Sequence, residues 1–186
     1  IFKNEKPWGV ILFKRNILSE KQLKKLTSSI KKIMKDKKYP ILIDEEGGKV
    51  TRLTNFLNNS IFNQNFFGNI YEKDKKIGLI LYKRYIESIS IHLLNLGINI
   101  NTSPVLDLYQ KSAHKIIGNR SYSENPTTVN KLGQACVKFY KNNKIGTVIK
   151  HIPGHGAANV DSHFNLPVVK KNFMYLKKND FECFKN

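Results

Sequence analysis

Residues 150–163, KHIPGHGAANVDSH, crowd one lysine, three of the chain's five histidines and one aspartate into a segment that also holds two glycines and a proline. His151 and His155 stand four apart, the spacing that shares one face of a helical zinc site. Pro153, Gly154 and Gly156 forbid that helix. A metal site built on a loop could still use His151, His155, Asp161 and His163. Alternatively, Asp161 stands two residues before His163 and could hold its imidazole in one tautomer. That would make His163 a general acid or base near neutral pH. Lys150 and His151 would then donate hydrogen bonds to the hydroxyls or carbonyl of a polar ligand. A plainer reading is a turn whose histidines only satisfy backbone groups.

Other candidates lie far from this segment in sequence. Asp44 could accept from ligand hydroxyls, and the Gly47-Gly48 pair could let a loop pass close to a ligand. Arg52 and Arg120 offer fixed planar donors, although either could equally belong to a surface ion pair.

The elements that must position these residues alternate in type. GVILFK (9–14), YPILIDEE (39–46) and GTVIKH (146–151) are apolar runs suited to buried strands, and GININTSPVLDL (97–108) begins as a strand and runs into a loop. Between them, Ser19 can cap a helix whose Leu23, Leu26, Ile30 and Ile33 recur at steps of three and four. Residues 47–72, rich in Gly, Asn and Phe, read as a long loop. A helix from about Lys73 to Leu96 carries Ile77, Leu81, Tyr85, Ile89 and Leu93 as its apolar stripe and stops at Gly97. Pro126 opens a helix over 126–143 through Val129, Leu132, Cys136 and Phe139. Strands alternating with amphipathic helices predict an α/β fold with a parallel sheet. Polar residues end the strands: Asp44 and Glu45, Asp107, then Lys150 and His151. In a (β/α)8 barrel that is the face where active sites are built. Four strands make half such a barrel. A doubly wound sheet is the alternative, but no glycine-rich phosphate loop supports it.

Composition narrows the function classes. The formal net charge is +18, which invites a nucleic-acid reading. Yet the excess is nearly all lysine, the arginines being Arg15, Arg52, Arg84 and Arg120, and the lysines fall on polar helix faces as in KQLKKLTSSIKKIMKDKK. A basic nucleic-acid-binding module would more often cluster arginine with aromatics on one face. No apolar run approaches the roughly 18 residues of a membrane span, and IFKNEKPWG carries no signal-peptide core. Cys136 and Cys183 fit no metal or redox spacing, which suits a reduced compartment. The chain opens on Ile1 and stops at Asn186 without an end to its pattern, so it is expected to be a fragment cut at both ends.

Five stretches, GVILFKRN, ILIDEEGGKVTRL, GININTSPVLDL, IIGNRSYSENP and KHIPGHGAANVDSHFNLPVV, follow one another in an order and register that resemble the family 3 glycoside hydrolases of the bacterial β-N-acetylhexosaminidase type. The resemblance covers nearly the whole chain. It implies that residues 1–186 are a single, incomplete N-terminal catalytic domain, about the central half of a TIM barrel. It implies removal of terminal β-linked N-acetylglucosamine from the muropeptides of cell-wall recycling in the cytoplasm, with no metal or other cofactor and no nucleic-acid or membrane partner. Carried over by position, Asp44, Arg52, Arg120, Lys150 and His151 correspond to sugar ligands, and His163 to an unusual acid/base assisted by Asp161. Most retaining glycosidases use a carboxylic acid there, with a second carboxylate as nucleophile. The family's nucleophilic aspartate is expected downstream of Asn186, since Asp180 lacks its context, and the opening strand upstream of Ile1. Lys49 stands where the family usually has arginine. The fragment alone is therefore expected to be inactive and not to fold as a stable monomer.

Overall fold

The computed structural model of the chain describes residues 5–110, 116–158 and 166–185. Strands β1 (Val10–Leu12), β2 (Ile41–Ile43), β3 (Ile100–Asn101) and β4 (Gly146–Thr147) form one parallel sheet in the order β1-β2-β3-β4. Helices fill the connections: α1 (Glu20–Met34) after β1, α2 (Gln64–Lys73) and α3 (Lys75–Asn95) after β2, α4 (Pro126–Asn142) after β3, and α5 (Phe173–Lys178) after β4. A doubly wound sheet reverses its strand order at a switch point, whereas a barrel adds each new strand to the same side of the last. The order seen here never reverses.

Local chemistry explains where the helices begin and end. Ser19 Oγ accepts from the Gln22 amide at 3.2 Å, Asp74 caps α3 through the Ile77 amide at 2.9 Å, and Asn125 caps α4 through Thr127 at 2.9 Å, with Pro126 in the first helical position. At the end of α3 the amides of Gly97 and Ile98 donate to Leu94 and Leu93 at 2.9 Å each, and Gly97 takes the left-handed φ of 78° that this termination requires. Leu12, Ile41 and Ile43 meet Leu23 and Ile30 of α1, Ile86 and Leu93 of α3, and Val129, Leu132 and Cys136 of α4 in a common core. Cys136 and Cys183 are both buried and free. No helix among the described residues is long and apolar enough to cross a membrane.

Three details differ from the sequence reading. Residues 47–72 are not all loop, because Asn63 caps α2 through the Phe66 amide at 2.9 Å and Phe67 and Tyr71, four apart, turn one face into the core. The buried stripe of α3 runs through Gly78, Tyr82, Ile86, Ile89 and Leu93, leaving Ile77 and Leu81 exposed. It is rotated because Gly78 lets α3 lie directly on the backbone of Tyr71 in α2, where a Cβ would stand 2.5 Å from the Tyr71 Cα. The Gly47-Gly48 pair, finally, is required by packing within the chain itself. Both glycines have left-handed φ, 83° and 66°, and they lie against Phe62 and Asn63.

A Cβ at Gly47 would sit 2.2 Å from the Phe62 carbonyl oxygen, while one at Gly118, also left-handed at φ 47°, would meet nothing among the described residues within 4 Å. Gly118→Ala should thus cost about 1 kcal/mol of backbone strain alone, and Gly47→Ala at least about 2 kcal/mol. Urea denaturation of the full-length protein separates them. Equal losses would mean that the contact with Phe62 contributes nothing.

Candidate active site

At the end of β2 the chain presents three acids in succession, Asp44, Glu45 and Glu46. Extended backbone sends alternate side chains to opposite faces, and the three diverge accordingly. Glu45, 1 % exposed, turns into the body of the protein. It accepts from the Thr51 hydroxyl, from Asn59 Nδ2 at 3.0 Å, and from the backbone amides of Arg52 at 2.8 Å and Leu53 at 3.3 Å. The loop after β2 is folded back on this one carboxylate, which fixes where Arg52 stands. Asn101, fully buried at the end of β3, braces the same point, accepting from the Glu45 amide at 3.0 Å and donating to the Glu45 carbonyl at 2.8 Å.

Asp44 and Glu46 face the other way, into a cavity of about 890 Å³ at the C-terminal ends of the strands. Arg52 Nη2 donates to Asp44 at 3.0 Å, and Lys150 Nζ lies 3.2 Å from Asp44 and 2.5 Å from Glu46. Arg120 reaches Glu46 with two parallel bonds, from Nε at 2.8 Å and Nη2 at 2.9 Å, the strongest geometry available to this pair of groups. The Thr102 hydroxyl also donates to Asp44. Burial alone would raise the Asp44 carboxyl, but Thr102, Lys150 and Arg52 outweigh it and hold it at about 2. Arg120 shows the same contest: burial works against its charge, and the bonds to Glu46 push it above its ordinary value.

His151 is set by a third carboxylate. Its Nδ1 lies 2.5 Å from Asp107 Oδ2, and the other oxygen of Asp107 accepts from the His155 amide at 2.6 Å. With its proton on Nδ1, His151 turns Nε2 toward the cavity as an acceptor, 3.4 Å from Arg120 Nη2. The segment after β4 is a set of turns, as its proline and glycines require, with the Gly154 amide bonded to the His151 carbonyl at 2.7 Å. Gly154 has φ 125° and rests on Asp180, which is 2 % exposed at the head of a short 3₁₀ turn, Phe181–Phe184.

The five residues expected to hold a ligand, Asp44, Arg52, Arg120, Lys150 and His151, therefore all line one cavity. Asp161 and His163 lie outside the described residues, and with them half of the alternative metal set; His151 and His155, the other half, line the same cavity with rings 6.2 Å apart. Glu46 escaped the sequence reading, and Asp107 was placed at a strand end but given no role. Glu46 was legible as the residue two after Asp44 on a strand end, hence on the same face. Asp107 was legible as a charge inside the apolar run PVLDL, where it has to find a buried partner. Chemically, the cavity offers both donors and acceptors, and each of its buried cations already rests on a carboxylate.

Residues 2–186 match the model of the glycosyl hydrolase family 3 N-terminal domain. The chain is 36 % identical over 165 residues to beta-hexosaminidase A of Pseudoalteromonas piscicida, covering 87 % of this chain and 27 % of that protein. It is 32 % identical over 184 residues to the beta-hexosaminidase of Hydrogenovibrio crunogenus, covering 95 % of this chain and 48 % of the relative. The crystal structure of NagZ from Neisseria gonorrhoeae in complex with N-trifluoroacetyl-D-glucosamine superposes with a TM-score of 0.85 at 32 % identity, over 95 % of this chain and 52 % of that one. The chain thus spans about a quarter to a half of the length of these relatives, and its four strands correspond to part of a TIM-barrel-like fold. With its acid-rich β2 end and its Lys150-His151 turn at one cavity, the chain belongs to glycosyl hydrolase family 3, within that family's N-terminal domain.

Proposed function

We propose that the chain carries the sugar-binding part of a retaining β-N-acetylhexosaminidase, which hydrolyses terminal, non-reducing β-linked N-acetylglucosamine from muropeptides during cell-wall recycling in the cytoplasm. The observation that supports it best is the pairing of the cavity's charges. Arg52, Lys150 and Arg120 are each held by Asp44 or Glu46. A phosphate or a nucleic-acid backbone would have to displace those carboxylates. A neutral sugar need not, because its hydroxyls and amide can donate to the acids and accept from the bases together. The names of the relatives point the same way.

In this reading Asp44, Arg52, Arg120, Lys150 and His151 hold the N-acetylglucosamine unit. Asp161 orients His163, which protonates the leaving oxygen and then deprotonates the incoming water. A retaining reaction also needs a carboxylate nucleophile. The family resemblance implies that this nucleophile is an aspartate on a later strand of the barrel, while Asp44, Glu46 and Asp107 are here bonded to cations or to His151. Muropeptide as the aglycone, and the cytoplasm as the compartment, follow from the family resemblance.

The first test is steady-state kinetics of the full-length protein. His163→Ala should slow hydrolysis of glycosides with poor leaving groups by roughly 10²–10⁴-fold, and glycosylation by activated aryl N-acetylglucosaminides much less, since their leaving groups depart without a proton. Equal losses in that step would remove His163 from the acid role.

Lys150→Ala should weaken N-acetylglucosamine binding by about 10- to 100-fold, the value of one charge-assisted hydrogen bond, in a variant that stays folded. Calorimetric titration decides it, and unchanged affinity would demote Lys150 to a structural lysine.

The depressed Asp44 carboxyl sets a pH expectation. A carboxyl whose folded value lies below its free value stabilises the folded state fully above the free value, near 4, and that contribution is lost as pH falls through the folded value of about 2. Sugar affinity should therefore show no Asp44 titration between pH 7 and 4. Following the Asp44 carboxyl carbon by NMR would check this, and a midpoint at or above 4 would contradict the ion-paired site.

A further inference from the structure

We infer that Glu46 is a positioning residue that makes this pocket select uncharged sugars over anions, an inference that rests on the sugar-binding reading above and deepens it. The Glu46 side chain is 1 % exposed, so its charge has no solvent to share and acts wholly on its neighbours. Those neighbours are two cations delivered by different parts of the fold. Arg120 comes from the connection between β3 and α4, 74 residues away in sequence, and Lys150 from just beyond β4. Glu46 Oε1 receives both, Arg120 Nη2 at 2.9 Å and Lys150 Nζ at 2.5 Å, while Oε2 receives Arg120 Nε at 2.8 Å. One carboxylate thus fixes the distance between two groups offered to the ligand.

It also sets their sum of charge. In a chain whose net charge is +18, Asp44 and Glu46 carry the bonds to Arg52, Arg120 and Lys150, and Asp107, bonded to His151, adds a third negative charge beside them. Lys49 stands at the exposed rim of the cavity. Asp44 already serves Arg52 and Lys150, and Asp107 is taken by His151 and the His155 amide. Among the described residues, no other acid lining the cavity is bonded to Arg120. Without the charge of Glu46, a planar guanidinium and an ammonium would face a partly desolvated pocket with one positive charge in excess, which is the arrangement that captures phosphate. Glutamine keeps the shape and one acceptor but not the charge. Aspartate keeps the charge and draws it back by one methylene.

The test compares the full-length protein with its Glu46→Gln and Glu46→Asp variants in phosphate-free buffer, after circular dichroism has established their fold. Binding of N-acetylglucosamine and of inorganic phosphate is read by calorimetry, and KM and kcat on an aryl N-acetylglucosaminide by kinetics. Glu46→Gln should weaken N-acetylglucosamine at least tenfold, raise KM more than it lowers kcat, and bind phosphate in the millimolar range where the parent binds none. Glu46→Asp should also lose sugar affinity but still refuse phosphate. Phosphate rejected by a folded Glu46→Gln protein, or accepted equally by Glu46→Asp, overturns the selectivity role. Parent-like sugar affinity in Glu46→Asp overturns the positioning role even if Glu46→Gln does not fold. Phosphate binding needs no turnover. A parent protein that binds no N-acetylglucosamine would instead sink the sugar reading, with the phosphate comparison still deciding the effect of charge.

Discussion

The site hangs on a ribbon of alternating charge, Arg52–Asp44–Lys150–Glu46–Arg120, that joins the ends of β2 and β4 to the connection after β3. Every member is largely removed from water, and an isolated charge there would be expensive. The ribbon therefore depends above all on its two acids. Taking out Asp44 strands Arg52 and taking out Glu46 strands Arg120, and the cost of such a stranded charge exceeds the worth of any single bond. The loops at the tops of these strands are consequently held by electrostatic necessity rather than by apolar packing, which lies below them among the helices. A ligand that enters meets groups already oriented, and much of the ordering cost of binding has been met on folding.

What the amino-acid pattern reveals, and what it hides, follows from the range of the forces involved. Helix caps and apolar periodicity are local, so Ser19, Pro126 and Gly97 marked their elements correctly, and strands alternating with helices implied a sheet of one direction. The five cavity-lining residues came from their places at strand ends, from side-chain chemistry and from a family likeness. Glu46 and Asp107 depend on partners 74 and 44 residues away, and no local pattern encodes such a pairing. Helix α2 was hidden by composition: its Gly68, Asn65 and Asn69 look like loop, yet Gly68 is there because a Cβ would come within 1.9 Å of the Tyr122 carbonyl. The stripe of α3 was misplaced for a related reason. A glycine at a close helix contact, not the most apolar residue, decided which face turned inward.

The division of labour within the acid triplet links fold to site. Asp44 and Glu46 serve the cavity, while Glu45 between them gathers the returning loop through one hydroxyl, one amide side chain and two backbone amides. Asn101 locks the same residue from the neighbouring strand and spends its remaining donor capacity on the Tyr140 hydroxyl at 2.9 Å, in α4. Sheet, helix layer and ligand loop thus meet at one buried residue. Binding energy delivered to Asp44 has a direct mechanical path into the core, and core strain has the same path back.

The triplet also has an arithmetic of parity. Because neighbouring side chains in extended backbone alternate between two faces, the assignment of Asp44 and Glu46 to the cavity and Glu45 to the interior is a choice of odd or even, with no intermediate setting. Inserting or deleting one residue in β2 would exchange the two sets, sending a single acid to meet three cations and burying two acids where one loop waits. Two-residue changes would preserve the assignment. Length variation in this strand is therefore quantised in steps of two, and a graft of this site into another parallel sheet succeeds or fails first on that count.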